Sequence, residues 1–276
     1  MNKIFVANKP LFLSSNHFLS CLKRKDNVKK AGFSGTLDPF ACGALLVAYG
    51  QYTKLFCHLN KNPKIYEATL WLGVKSESFD TENIISIQNT KPFSKNQILN
   101  SLMKFQGEIP YIPPKYCAKK IDGKKAYELA RSGAEVKLKE QTMEVYKIEF
   151  LNYCHPFVSF RASVSEGSYI RSLGQLIAQD LGVDGTLSYL CRISEGGLFF
   201  ENYKTLNPLE ILPYEKINRQ KDTILKAKMQ DGKKITKADL KIEDFGDFIV
   251  YFEDFFSIIS HKNNEIKYLL NRIPLC

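Results

Sequence analysis

The segment Gly32-Phe33-Ser34-Gly35-Thr36-Leu37-Asp38-Pro39-Phe40-Ala41-Cys42-Gly43 constrains the fold of this chain more than any other. Three glycines and a proline surround one acid, and the apolar run Ala44-Leu45-Leu46-Val47-Ala48-Tyr49 follows at once. Glycine tolerates backbone angles that other residues avoid and proline fixes its own, so this composition describes a tight loop entering a buried strand. By spacing alone Asp38 has two readings. It caps a turn, Asp-Pro being a common turn dipeptide, or it is a reactive carboxylate held at a fixed place.

Periodicity supplies the neighbouring elements. Residues 64–73 alternate, with Tyr66, Ala68, Leu70 and Leu72 on one side and Glu67 and Thr69 on the other, which predicts a strand with Tyr66 on its apolar face. Ser94 precedes Ile98, Leu99, Leu102 and Phe105 at helical spacing, closed by Gly107. Val158, Phe160, Ala162 and Val164 alternate with Ser159, Arg161, Ser163 and Ser165, predicting a second strand that runs straight into a helix. Ile170, Leu173, Leu176, Ile177 and Leu181 mark that helix, with Ser168 as its expected cap and Gly182 as its stop. Its first turn, where unpaired N–H groups favour an anion, carries Tyr169 and Arg171. Beyond about residue 225 short strands take over, at 248–252, 255–260 and 266–272, with Lys262-Asn263-Asn264 turning between the last two. These predict a small all-β appendage, so the expected units are residues 1–222 and 225–276, with the linker at 202–222.

A net charge of +10 and an isoelectric point near 9.1 suit either a polyanionic partner or a solvated basic surface. Location favours the partner. Eight basic residues face four acidic ones, Asp122 among them, between Lys115 and Glu140, and Tyr111, Tyr116 and Tyr127 lie in or beside that stretch. Phosphate contacts and base stacking are therefore available together. Seven cysteines, from Cys21 to Cys276, include no Cys-x-x-Cys pair, which fits neither a zinc nor a disulfide framework. No apolar run approaches the ~20 residues of a membrane helix, and residues 1–15 show no cleavable leader pattern. The expectation is a cytoplasmic chain without a metal.

The pattern Gly-x-x-Gly-Thr-Leu-Asp-Pro-x-Ala-x-Gly over residues 32–43 resembles the signature loop of the TruB family of pseudouridine synthases. Further blocks match in order: Lys9-Pro10 with Ser14-Ser15, Lys64-Ile65-Tyr66, Ile112-Pro113-Pro114 with Gly123-Lys124-Lys125-Ala126-Tyr127, Gly167-Ser168-Tyr169-Ile170-Arg171, and Leu190-Cys191-Arg192. The likeness spans most of residues 1–200. A weaker likeness to a shortened PUA RNA-binding domain covers the C-terminal strands.

The resemblance implies an α+β fold: a mixed, largely antiparallel sheet flanked by helices, an RNA-gripping insertion near 111–140, and a PUA-like appendage. It implies Asp38 as the nucleophile and Tyr66 as the active-site tyrosine, stacking on an extracted uracil or taking a proton. Arg171 becomes the partner that keeps Asp38 ionised through a two-pronged pair, with Tyr169 beside them. Lys9, Phe33, Arg192 and the cluster Lys119, Lys120, Lys124 and Lys125 are the further residues expected to hold RNA. The implied reaction isomerises the uridine at position 55 in the T-arm of tRNA, performed by a monomer with no metal or organic cofactor. It breaks the bond from ribose to the base nitrogen, rotates the base and rejoins it through carbon. A carboxylate serves by attacking the base, by attacking the sugar, or by stabilising charge on the ribose, and the sequence leaves the three open.

Three positions depart from the family pattern: Phe33 stands where a His is usual, Phe12 where a Gly is usual, and Glu166 where a Lys is usual. Phe33 is expected to act by wedging or stacking alone, and Glu166 to repel RNA unless paired. Two other functions compete. A non-catalytic RNA-binding or RNA-chaperone protein would have no use for Asp38, and a nucleosidase-like hydrolase would need a second acid or a metal site that the sequence does not display.

Overall fold

A computed structural model describes residues 1–121 and 123–275, so Asp122 and Cys276 lie outside it. β1 (Lys3–Lys9) leads to α1 (Ser15–Lys25), whose cap Ser14 accepts the His17 N–H. β2 (Ala31–Ser34) and β3 (Cys42–Tyr49) flank the Asp38 loop, and a 3-10 turn over Gly50–Cys57 leads to β4 (Lys64–Leu72). A hairpin of β5 (Val74–Ser76) and β6 (Ile84–Ile87) precedes α2 (Lys95–Lys104), which begins with a complete Ser94–Gln97 capping box. β7 (Gly107–Tyr111) opens the insertion, which holds the two-residue strands β8 (Lys120–Ile121) and β9 (Lys124–Lys125) and the short helix α3 (Ala126–Arg131). Then come β10 (Gln141–Cys154), β11 (Phe157–Val164), α4 (Ile170–Asp180), β12 (Gly185–Glu195) and β13 (Leu198–Phe199). The chain ends with α5 (Pro208–Ile211), β14 (Glu215–Asn218), α6 (Thr223–Gln230), α7 (Lys237–Leu240), β15 (Gly246–Tyr251), β16 (Phe255–Lys262) and β17 (Glu265–Pro274).

The large sheet runs β1-β3-β12-β4-β11-β10-β7, with β2 paired to β3 and β13 to β12. Its pairings are antiparallel except where β12 lies parallel to β3, Cys191 opposite Cys42 and Arg192 opposite Gly43. That junction sets Arg192 against the exit of the Asp38 loop. The expected α+β architecture is therefore the observed one.

β1 and β3 are buried on both faces, which explains the unbroken apolar run of β3. Phe5, Ala7, Leu45 and Val47 pack toward Phe18 and Leu22 of α1. The alternate residues Ile4, Val6, Ala44 and Leu46 pack toward Ile249, Phe256, Ile258 and Ile273 of the C-terminal sheet. A strand covered on one face only would alternate; this one has no solvent side. β4 does alternate, turning Tyr66, Ala68, Leu70 and Leu72 into a core shared with β10, β11, α2 and α4. α4 ends as expected at Gly182, whose φ of 76° lets the Val183 N–H reach back to the Ala178 carbonyl.

Two sequence expectations are corrected. Ser168 does not cap α4: Tyr169 holds the cap position without a side-chain bond, and the Ser168 hydroxyl pairs with Ser165 instead. The C-terminal unit is not all-β and does not start at 225. α6 and α7 pack on its sheet, and β14, within the expected linker, pairs in parallel with β15. The tight turn at Asn263 and Asn264 does form, both residues having positive φ, a conformation asparagine tolerates.

Candidate active site

The Asp38 loop leaves β2 at Gly35 and rejoins the sheet at Cys42 and Gly43, and both glycines are required there. At φ 60° a Cβ on Gly35 would lie 3.0 Å from Arg192 Nη1; at φ 102° one on Gly43 would lie 2.2 Å from the Arg192 carbonyl. The loop is then clamped from beneath. The Ser15 hydroxyl donates to the Leu37 carbonyl at 2.9 Å and accepts the Leu37 N–H at 3.0 Å. Arg192 donates through Nη2 to the Gly35 carbonyl at 2.9 Å and through Nε to that of Ala44 at 2.7 Å. Lys9 Nζ donates to the carbonyls of Pro10, Leu13 and Pro39 at 2.8, 2.6 and 3.4 Å.

Lys9 is thus corrected as an RNA contact: it is fully buried, lines neither cleft beside Asp38, and gives its ammonium to backbone carbonyls that fix the loop. Arg192 is as deeply buried and holds the loop through Nε and Nη2, and it also lines the cleft beside Asp38. Burial pushes the Lys9 ammonium down to about 8, against the smaller pull of Cys42 and Asp38. Beside Arg192, the buried Glu195 accepts from the Ser34 hydroxyl at 3.0 Å and pairs with Lys64 at 3.4 Å.

With its backbone held in this way, Asp38 does not cap the turn through its side chain; the Ala41 N–H bonds to the Asp38 backbone carbonyl at 3.1 Å. Its carboxylate, 30% exposed, places Oδ2 2.9 Å from Nε of the buried Arg171. The Nε–H is not aligned for a hydrogen bond, so this contact is an ion pair alone. The two-pronged geometry expected for Arg171 is not found, because its other donors are engaged elsewhere. Nη1 donates to the Ser78 carbonyl at 2.7 Å and to Asp80 Oδ2 at 3.0 Å, and Nη2 to the Tyr116 carbonyl at 2.8 Å.

Asp80 is the residue that sequence reasoning missed. It is buried, accepts from the Ser78 hydroxyl at 2.6 Å, and shares Arg171 with Asp38. Burial raises its pKa, opposed by the Arg171 charge and the Ser78 hydrogen bond. Its only sequence signal is an acid flanked by short polar residues in Ser76-Glu77-Ser78-Phe79-Asp80-Thr81, a weak one.

Two clefts meet at the Asp38–Arg171 pair. One, of about 320 Å³, is lined by Tyr66, Tyr169, Leu190, Lys119 and Glu166. The other, of about 330 Å³, is lined by Ser14, Asn16, Tyr116, Lys125, Tyr127 and Arg131. The structure therefore gathers Asp38, Tyr66, Tyr169, Arg171 and Lys119 around the first cleft and Lys125 beside the second. Lys120 and Lys124 lie exposed on the β8–β9 hairpin. Phe33 lines neither cleft; its ring rests half-buried on the Phe5, Phe18 and Val47 cluster. Glu166 is paired, 3.6 Å from Lys61. Burial also raises the Tyr169 pKa, keeping that hydroxyl neutral.

The family model described as TruB family pseudouridylate synthase (N terminal domain) matches residues 23–170. The tRNA pseudouridine synthase B of Sulfurovum sp. (strain NBC37-1) is 50% identical over 274 residues, 99% of this chain and 98% of that one. That of Campylobacter curvus (strain 525.92) is 51% identical over 276 residues, all of both chains. Among solved structures, a chain of an H/ACA RNP bound to a substrate RNA containing 2'-deoxyuridine superposes with a TM-score of 0.67 at 20% identity, covering 99% of this chain and 85% of that one. A chain of a Cbf5-Nop10-Gar1 complex gives 0.65 at 21%, covering 99% and 84%. At that identity the two structures support the fold.

Proposed function

The chain belongs to the TruB family of pseudouridylate synthases and isomerises uridine to pseudouridine in tRNA, and we propose that Asp38 is its nucleophile and the T-arm uridine at position 55 its target. One observation carries the assignment: a partly exposed carboxylate stands where two clefts meet, one oxygen beside a buried guanidinium and the other uncommitted among the described residues. A carboxylate so placed stays oriented while one oxygen is free to react.

A uridine in a folded T-arm must leave its stack to reach Asp38, and the cleft supplies an apolar and aromatic lining to replace the stacking it loses. Tyr66 and Leu190 are the supporting surfaces. The Tyr66 hydroxyl makes no hydrogen bond among the described residues, which leaves it free to hydrogen-bond the bound uracil. Arg171 acts as the positioning cation, itself fixed by Asp80, Ser78 and Tyr116. The insertion is joined to this site through that Tyr116 carbonyl and through the bond from the Ser172 hydroxyl to the Ile112 carbonyl. Lys119, Lys120, Lys124 and Lys125 are its phosphate contacts, and the unit from β14 onward is a second RNA-binding surface.

The test uses purified protein, an unmodified tRNA transcript, and mapping of the product nucleotide. Pseudouridine at position 55, lost when that uridine is replaced by cytidine, is the expected result. Product at another uridine overturns the choice of target.

A further inference from the structure

We propose that Phe12 stacks on a nucleotide flanking the target uridine, as an RNA-binding side chain on the turn that leads into the wall of the second cleft. The inference rests on the reading that the Asp38 clefts receive RNA. Phe12 is 78% exposed and makes no ring contact among the described residues. Its φ is 59°, the left-handed region that glycine enters freely and a bulky aromatic enters only with strain. A side chain that is both strained and exposed contributes nothing to packing, so its value to the chain lies outside the free protein.

The turn that carries it is rigid. Lys9 Nζ binds the carbonyls on either side, those of Pro10 and Leu13, and the Leu13 side chain anchors in the cluster beneath α1. The same ammonium reaches the Pro39 carbonyl, one residue beyond Asp38, so the ring stands at a fixed offset from the nucleophile. Two residues after Phe12, Ser14 begins the wall of the cleft that Lys125, Tyr127 and Arg131 face from the insertion. Asp38, Asp80 and Glu82 line the inner part of that cleft, and Lys125 and Arg131 come from the insertion; an exposed aromatic on the turn leading into it suits a base next to a phosphate, the ring taking the base face and the insertion's cations the backbone. A planar base is the occupant favoured over an apolar peptide because of those cations.

The experiment is Phe12→Gly compared with Phe12→Trp in the full chain, measuring melting temperature, the Kd for tRNA, KM and kcat. Glycine relieves the strain and removes the ring, so the melting temperature rises while Kd and KM increase about five- to a hundredfold, more than any fall in kcat. Phe12→Trp retains affinity. Those opposite signs separate RNA contact from packing, since a packing role lowers both stability and function. Unchanged Kd and KM in Phe12→Gly, or a fall in melting temperature accompanying the loss, overturns the proposal. A wild-type enzyme that forms no pseudouridine in tRNA would instead overturn the reading on which it rests.

Discussion

Replacing Asp38 with Asn removes one charge and leaves its surroundings in place. Leu37 stays clamped by Ser15, the Ala41 N–H keeps its backbone acceptor, and Arg171 keeps the Ser78, Asp80 and Tyr116 oxygens. What is lost is one ion pair to a partly exposed carboxylate, worth no more than ~1 kcal/mol. In a chain of this size that corresponds to roughly 2–4 °C of melting temperature. Part is recovered, because the Asp38 charge is among the groups that raise the Asp80 pKa, and Asn ends that repulsion. The rate follows a different scale. Loss of a nucleophile costs on the order of 10⁴-fold or more, or upward of ~5 kcal/mol of activation free energy. Asp38→Asn therefore folds, binds tRNA with near-normal Kd, and releases no tritium from carbon 5 of labelled uridine. A well-folded Asn variant within ~100-fold of the wild-type rate refutes the assignment, since a lost turn contact would explain so small an effect.

Asp80→Ala removes the buried acid that is hydrogen-bonded to Arg171, to the Ser78 hydroxyl and to the Glu82 N–H, where Asp38→Asn removes only a partly exposed ion pair, so it destabilises by about 3 kcal/mol, more than Asp38→Asn; denaturant unfolding of the two variants gives the order. Lys9 loses its proton near pH 8 when folded and near 10.5 when unfolded, so the unfolded state binds more protons between those values. Wild-type stability relative to Lys9→Met therefore rises with pH across that window, by no more than ~1.4 kcal/mol per pH unit, and a flat or falling difference on chemical unfolding contradicts it. Charge reversal at Lys119, Lys120, Lys124 and Lys125 flattens the plot of log affinity against log salt; an unchanged slope places the RNA backbone elsewhere.

The strands and helices that bear the site were legible because their periodicities are local. β4, β11, α2 and α4 each declare a buried face within about ten residues, and the Asp38 loop declares itself through glycines whose added Cβ would strike Arg192. Asp80 was not legible, because its meaning comes from Arg171, 91 positions away. The single-pronged contact of Arg171 was hidden for the same reason: a sequence shows a cation and an acid but not the three oxygens competing for the cation. The Ser168 expectation failed because Ser165 offered a nearer partner than the helix N–H groups. The missed β14 is four residues whose strand character depends on pairing with β15.

Net charge was read correctly in sign, but its position needed the structure. Lys9, Lys64, Arg171 and Arg192, the buried cations nearest the nucleophile, are held by carbonyls and carboxylates of the protein itself. They build the loop, while the exposed lysines of the insertion remain for the backbone. The C-terminal unit needs the same separation of roles. Ile249, Phe256, Ile258 and Ile273 cover Ile4, Val6, Ala44 and Leu46 on the back of the strands that frame the Asp38 loop. Deleting the chain after residue 225 exposes that apolar face, and burial at ~25 cal/mol per Å² makes such a loss a folding defect before it is a binding one. RNA contact by this unit is therefore tested at its exposed cations. Lys221 and Lys241 border a depression of about 590 Å³, and substituting them leaves the shared core intact.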